Sequence, residues 1–357
     1  MNSVASAVTP LSEIRLTNVQ ATRGASYWST SPVTRLDVAV GAYDHISSAN
    51  IPGLTEQLVA ALPGLVEHEC SIGERGGFIT RLRRGTYAPH IVEHVALELQ
   101  TMIGHEVGFG RTRGGDVEGE YTIVFEHRHE QVGRRAAALA LETVQRAFDG
   151  TLSPEYVGGA TRELAALANT PDAAPITQCV LGAVTGGAGR AECVELLQAA
   201  LGPADDEHLI VDVAPAIVLA AGLPYAHCRL AVILDTALAD VPSRYREPQR
   251  ARRLVETLID AVPRGGFVVC PATESELQQE ARDAGCRVAV FATDERIGDD
   301  ALEVATAFGR VRDGAVVVEH CRDAERVAPL REDRPVRSQI AAALAAYVLR
   351  RPVDVRQ

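Results

Sequence analysis

From about residue 180 to residue 349, short apolar runs alternate with amphipathic segments, and this alternation restricts the possible folds more than any other feature of the chain. Strands are predicted at 180–184, 209–213, 230–234, 267–269, 288–291 and 316–318. Helices are predicted at 191–201, 249–261, 274–284 and 339–349. A run apolar at nearly every position suits a strand covered on both faces, and a helix between successive strands is the crossover that a parallel pair requires. The second half therefore reads as an α/β domain on a doubly wound, mostly parallel sheet.

The first half reads differently, as α+β. Residues 34–42 place Leu36, Val38 and Val40 on one side at a period of two, and 121–126 form a second good strand. Residues 52–66 carry Leu54, Leu58, Leu62 and Leu65 at helical spacing. Residues 130–148 do the same with Ala, Leu and Val, and Gly150 follows as a stop. Between about 158 and 175 the pattern loosens into Ala, Asn, Thr, Asp and Pro. The expected division is a first domain over 1–160, a linker over 161–175 and a second domain over 176–357.

A length of 357 residues is enough for two domains of ordinary size. The net charge of −12 disfavours nucleic acid and anionic membrane surfaces as partners and suits a cationic one. Residues 209–234, the most apolar stretch, are interrupted by Asp212, Pro215, Pro224, His227 and Arg229, so no membrane span is expected. Residues 1–16 lack a basic head followed by an apolar run, which predicts no secretory signal. The seven cysteines are an odd number without C-x-x-C pairs, as expected of reduced, buried thiols in a cytoplasmic protein rather than a disulfide frame or a cysteine zinc site.

The chemistry concentrates in one predicted helix, from about His90 to Ile103, with Pro89 in its first turn and Gly104 as its stop. His90 and His94 lie four apart and project from one face, which Glu93 shares. Val92, Val95, Ala96, Leu99 and Ile103 form the opposite, apolar stripe. Two neutral imidazoles beside a carboxylate suit Zn²⁺ with one open position. The ion would bring the pKa of a bound water toward ~7, with Glu93 as the general base. H-x-x-E-H is the order found in inverted zinc peptidases. A third ligand is expected from Glu130, at the start of the following helix, with Glu126 the alternative and His127 and His129 close by.

The residues around this helix resemble the N-terminal domain of cyanophycin synthetases: Arg23 to Ser29 (RGASYWS), Glu67 to Ser71 (EHECS), Arg75 to Phe78 (RGGF), Gly85-Thr86, His90 to Gln100 (HIVEHVALELQ), Gly108 to Arg113 (GFGRTR) and Val124 to Glu126 (VFE). The resemblance spans about residues 13–165. It implies a polymer of aspartate and arginine as partner and, as in some members of that family, a zinc-peptidase-like domain that cuts the polymer internally. On this basis Arg111 and Arg113 are expected to clamp aspartyl carboxylates, and Trp28 to stack on an arginine side chain.

The second half resembles the central domain of Mur ligases, with differences. Val184 to Glu192 (VTGGAGRAE) stands where that family has its phosphate-binding loop, but Arg190 and Ala191 replace the Lys and the Ser/Thr that phosphate and Mg²⁺ require. Residues 231–240 and 268–273 lack that family's Asn, His and acidic residues, and no ATP-grasp or terminal ligase domain is expected. Together these readings predict a zinc-dependent hydrolase of a cyanophycin-like polymer, without ATP-dependent ligase activity, as a homodimer or larger homo-oligomer. The alternative is an inactive pseudo-ligase that serves as a polymer-binding or synthetase-associated scaffold.

Overall fold

The computed structural model describes residues 14–172, 177–202, 209–293, 305–320 and 323–350, and divides into two compact units. Unit 1 comprises residues up to 23 and 31–175; unit 2 comprises 24–30 and 176 onwards. The crossing of Gly24–Thr30 into unit 2 has no counterpart in the sequence reading. Within unit 2 the Ala25 carbonyl accepts a hydrogen bond from the Leu223 N–H at 2.7 Å.

Unit 1 is α+β. Strands β1 (Arg15–Ala21), β2 (Val33–Ala39), β3 (Gly110–Gly114) and β4 (Glu120–Glu126) form an antiparallel sheet in the order β1-β2-β4-β3. The helices are α1 (Leu54–Ala61), α2 (Gly77–Arg84), α3 (Ala88–Thr101), α4 (Glu130–Phe148) and α5 (Pro154–Ala168). The period of two in β2 buries Leu36 and Val38 and leaves Arg35 and Asp37 half-buried. The two strands that the hydrophobic pattern missed, β1 and β3, lie at the sheet edges. Edge strands need no apolar face, and polar or charged residues there protect the open backbone from pairing with other chains.

Helix α3 departs from the amphipathic expectation. Ile91, Val95 and Leu99 enter the core with Phe125 of β4 and Ala136, Ala140 and Val144 of α4. The small alanines of α4 allow the helices to approach closely. The polar side is covered too: Glu93 is 6%, His94 5%, Glu98 3% and Gln100 0% exposed. Polar side chains this deeply placed need specific partners, since each unpaired one costs about 1–3 kcal/mol. A merely solvated helix face would not be built this way.

Helix α5 occupies much of the stretch expected as linker. Ser153 caps it by accepting the Tyr156 N–H at 3.2 Å, Pro154 opens it, and Val157, Ala160 and Leu164 bury one stripe. The helix was missed because Gly158, Gly159 and Thr161 are poor helix formers, a handicap that tertiary burial overrides.

Unit 2 is α/β. Its eight strands are β5 (Thr177–Thr185), β6 (Ile210–Asp212), β7 (Tyr225–Ile233), β8 (Phe267–Pro271), β9 (Arg287–Phe291), β10 (Ala307–Arg312), β11 (Ala315–His320) and β12 (Asp323–Pro329). They lie in the order β12-β11-β10-β9-β8-β7-β5-β6. From β6 to β10 all pairs are parallel, and β11 and β12 join antiparallel. Among the described residues its helices are α6 (Arg190–Leu201), α7 (Pro215–Ala221), α8 (Pro248–Asp260), α9 (Ser275–Asp283) and α10 (Val336–Arg350). The order reverses beside β5, so a switch-point crevice lies outside its carboxyl end. There the Gly187 N–H donates to Asp235 Oδ1 at 2.8 Å. The Arg190 guanidinium turns back onto the Gly186 and Gly187 carbonyls, both at 2.6 Å, and pairs with Asp212 at 2.9 Å. Among the described residues no helix is long and apolar enough to cross a membrane.

Candidate functional site

Pro89 stands in the first turn of α3, after the extended Tyr87, fixing φ where the first-turn N–H needs no partner. One helical turn separates His90 from His94, and both rings reach the wall of a cleft. His90 Nδ1 lies 2.8 Å from Thr86 Oγ1, and its Nε2 lies 3.3 Å from Cys70 Sγ. His94 stacks on Phe78, with ring centroids 3.9 Å apart and planes inclined by 19°. Its Nδ1 lies 2.9 Å from Nδ1 of His68, whose Nε2 is 3.3 Å from the Glu98 carboxylate. Cys70 has a φ of 56°, in the left-handed region that few side chains other than Asn and Asp adopt readily.

Ligand atoms of Cys70, His90 and His94 all lie within 4.8 Å of one another. Two atoms sharing an ion at about 2.0–2.3 Å each can be separated by little more than 4 Å, so small side-chain movements would suffice for all three to share one. Burial and then the Arg81 charge lower the His90 pKa to about 4. Burial, then His90 and His68, lower that of His94 to about 2. Both rings are therefore neutral near pH 7, the state in which imidazole binds metal.

Glu93 lies beside this cluster. Its Oε2 accepts the Thr112 hydroxyl hydrogen at 2.5 Å. Burial pushes the carboxyl up to about 7, against the opposing effects of the Thr112 hydrogen bond and the Arg111 charge. Gly110 makes room for it: a Cβ there would come within 2.7 Å of Glu93 Cγ and Oε1. Gly110→Ala is therefore expected to displace the carboxylate and break its bond to Thr112, destabilising unit 1 by about 1–3 kcal/mol, as overpacked sites do. Urea unfolding of the purified variant checks this, and an unchanged midpoint would contradict the close approach.

The cleft has a volume of about 880 Å³. Besides the histidines and Glu93 it is lined by Glu67, Glu69, Arg81, Tyr87, Phe109 and Arg111. Of the residues singled out in the sequence, the structure thus gathers His90, Glu93, His94 and Arg111. Arg113 is exposed further along β3 and is not in the lining.

The expected third ligands are engaged elsewhere. The Glu130 carboxylate takes Arg23 at 2.7 Å and Arg134 at 3.1 Å. Glu126 Oε2 accepts the Gly108 and Phe109 N–H groups at 3.1 and 3.4 Å, and the carboxylate pairs with Arg128 at 3.4 Å. His127 Nδ1 faces the Thr34 hydroxyl at 3.0 Å, and His129 caps α4. Trp28 is no exposed platform either: it is 6% exposed, edge-on to Tyr27 and Tyr245 in unit 2.

Cys70 is the member of the cluster that sequence reasoning passed over, because odd, unpaired cysteines look like core thiols. Cys193, Cys228, Cys270 and Cys286 are indeed buried, whereas Cys179 is exposed; Cys321 lies outside the described residues. A signal was present in the adjacency of His68 and Cys70, and in Glu98 standing four residues beyond His94.

Residues 35–149 match the family of the cyanophycin synthase-like N-terminal domain. Over 131 residues the chain is 48% identical to the cyanophycin synthetase of Synechocystis sp., and over 140 residues 46% identical to that of Trichormus variabilis. The aligned parts cover 36% and 38% of this chain but 15% of each relative. The chain thus spans a small part of these synthetases. Among solved structures, a UDP-N-acetylmuramoylalanyl-D-glutamyl-2,6-diaminopimelate–D-alanyl-D-alanyl ligase from Acinetobacter baumannii is similar at a TM-score of 0.33 and 14% identity, over 66% of this chain and 50% of that one. A MurF ligase from Thermotoga maritima in complex with ADP is similar at a TM-score of 0.33 and 12% identity, over 48% of this chain and 45% of that one. Likeness this slight says nothing about chemistry.

The relatives correct the expected activity. Nearly half of the aligned residues are shared with proteins named for making polymer, which overturns the zinc hydrolase, metallopeptidase and inactive-scaffold readings. The expectation of no ATP-dependent ligase activity falls with them. The physical reason is that H-x-x-E-H specifies which side chains face one another, not the direction of the reaction they serve.

Proposed function

We propose that unit 1 is a polymer-engaging domain of the cyanophycin-synthetase type, which seats a stretch of aspartate–arginine polymer between α3 and β3 in the service of polymer synthesis. The observation that carries this reading is the presence of both charge signs in one cleft: Arg81 and Arg111 face it together with Glu67 and Glu69. A polymer bearing carboxylates and guanidinium groups needs both. Arg111 matches a carboxylate with two donors, and Tyr87, 49% exposed at the rim, offers a face to a guanidinium. Arg113 extends the same strand toward the next polymer unit.

The Cys70, His90 and His94 donors, one sulfur and two imidazoles, fit Zn²⁺ better than a hard cation. When bound, the ion supplies Lewis acidity toward an oxygen of the polymer. Glu93, whose carboxyl burial raises to about 7, accepts a hydrogen bond at the neighbouring polymer amide when ionised and donates one when protonated. Thr112 holds it in place. In unit 2 we read the loop at Arg190 as an altered phosphate loop, since its cation is bound to the loop's own carbonyls. The free cysteines among the described residues agree with a cytoplasmic setting.

Two measurements test this. Arg111→Ala is expected to weaken binding of soluble cyanophycin by about 10–100-fold, the worth of a charge-assisted hydrogen bond, and to flatten its salt dependence. Arg113→Ala should do less. Incorporation of labelled aspartate and arginine with ATP is measured for the chain alone and with a full-length cyanophycin synthetase. A chain that neither binds polymer nor changes incorporation in either setting overturns the proposal.

A further inference from the structure

We propose that Glu98 and His68 are positioning residues that fix the tautomer of His94, keeping its proton on Nδ1 and its lone pair on Nε2. The site as described needs His94 to present a lone pair, but nothing in H-x-x-E-H says what holds the proton on the other nitrogen. Positions 90, 94 and 98 form one stripe of α3, and Glu98 continues it into the interior, 3% exposed.

Glu98 anchors the relay. Its Oε1 accepts the Gly64 backbone N–H at 3.0 Å, and its Oε2 lies 3.3 Å from His68 Nε2. Gly64 and the carboxylate are in close contact: a Cβ on Gly64 would fall 2.3 Å from Oε1. The backbone N–H can only donate, and a carboxylate only accepts, so His68 Nε2 must be the donor. A neutral His68 then carries its lone pair on Nδ1. Facing it at 2.9 Å, His94 Nδ1 has to donate, which leaves the lone pair on Nε2. Phe78, stacked on the His94 ring, holds the ring plane. Thr86 has the equivalent place for His90, at 2.8 Å from its Nδ1. The two imidazoles are thus oriented by different devices: a hydroxyl for one, and a carboxylate–imidazole relay for the other. The opposite arrangement, a doubly protonated His68 donating at both nitrogens, would put the His94 proton on Nε2 and make that ring useless as a ligand.

Long-range ¹H–¹⁵N correlation spectra of the full chain, ¹⁵N-labelled at histidine, free of metal and at neutral pH, decide between these. The His94 signal is assigned with His94→Gln. A protonated Nδ1 is expected; a protonated Nε2 overturns the relay. Glu98→Gln provides the second arm, because Gly64 and His68 face different carboxylate oxygens, and an amide that turns its oxygen to the Gly64 N–H turns its NH₂ to His68. Its NH₂ would donate to His68 Nε2 and invert both tautomers. Affinity for Zn²⁺ alone, measured by competition with a chromophoric chelator, would then fall by about 10–100-fold, as when an outer partner of a ligating histidine is lost. Unchanged tautomers in this variant overturn the relay, and should the variant fail to fold, the wild-type spectrum still decides. The metal arm rests on the ligand reading above. If wild-type protein binds no Zn²⁺, that reading fails, while the tautomer remains measurable.

Discussion

Glu93→Gln is expected to make unit 1 more stable above pH 7 by about 3 kcal/mol and to leave it unchanged at pH 4.5. The carboxyl is raised from 4.5 to about 7 by burial, and each pKa unit is worth about 1.4 kcal/mol of preference for the protonated form. The native state therefore holds a proton on Glu93 that the unfolded chain has already released. Stability from this group is fully present below pH 4.5 and is lost as pH rises to about 7, where the wild type must accept a buried anion. Glutamine has nearly the same shape, can accept the Thr112 hydrogen bond and never ionises, so its advantage grows across that window and then levels off. His90 and His94 act in the opposite sense, costing stability as pH falls below 6.5 toward about 4 and about 2, but they do so in both proteins and cancel in the difference. Calorimetry in the presence of chelator measures it, since a bound cation would draw the Glu93 pKa down. Trp28 is unsuitable as the reporter because it belongs to unit 2. Equal melting temperatures at pH 8 would mean that the carboxylate is solvated, not buried.

The sequence showed which segments are buried better than it showed what joins them. In unit 2 the parallel strands β5 to β9 announce themselves as apolar runs because both faces are covered, and they fall where the pattern places them, whereas β10, parallel to β9, carries Gly309, Arg310 and Arg312 and gives no such run. The antiparallel edge strand β12 carries Asp, Glu and Arg and gives no such sign. In unit 1 the helix with His90 and His94 was legible from Pro89, Gly104 and the stripe between them, because those signals are local. The remainder of the site was not, because it is assembled by contacts distant in sequence: Cys70 reaches His90 from a turn before α2, and Thr112 reaches Glu93 from an edge strand. Glu130 was the reasonable choice for a third ligand on helix position alone. Nothing in that spacing reveals that Arg23, more than a hundred residues earlier, takes its carboxylate.

The competition between Cys70 and Glu130 leads to the remaining prediction: zinc is expected to copurify with the chain, and Cys70→Ser to lose it while Glu130→Ala keeps it. Thiolate is the strongest zinc donor in the cluster and already lies 3.3 Å from the His90 nitrogen, whereas a hydroxyl is a poor ligand at neutral pH. Glu130 is held by two arginines, so recruiting it would mean breaking both pairs and moving the first turn of α4. Losing an outer partner of a metal ligand costs about 10–100-fold in affinity, so losing a ligand outright should cost more. The His90→Ala, His94→Ala double variant sets the zero of the scale. Metal analysis after purification without chelator, with circular dichroism to confirm folding, measures all four proteins. Zinc kept by the Cys70 variant but lost with Glu130 would transfer the third ligand to α4 and imply that the cleft closes substantially around the ion. Zinc held equally by all four would place the ion away from α3 altogether, leaving His90 and His94 to contact polymer directly.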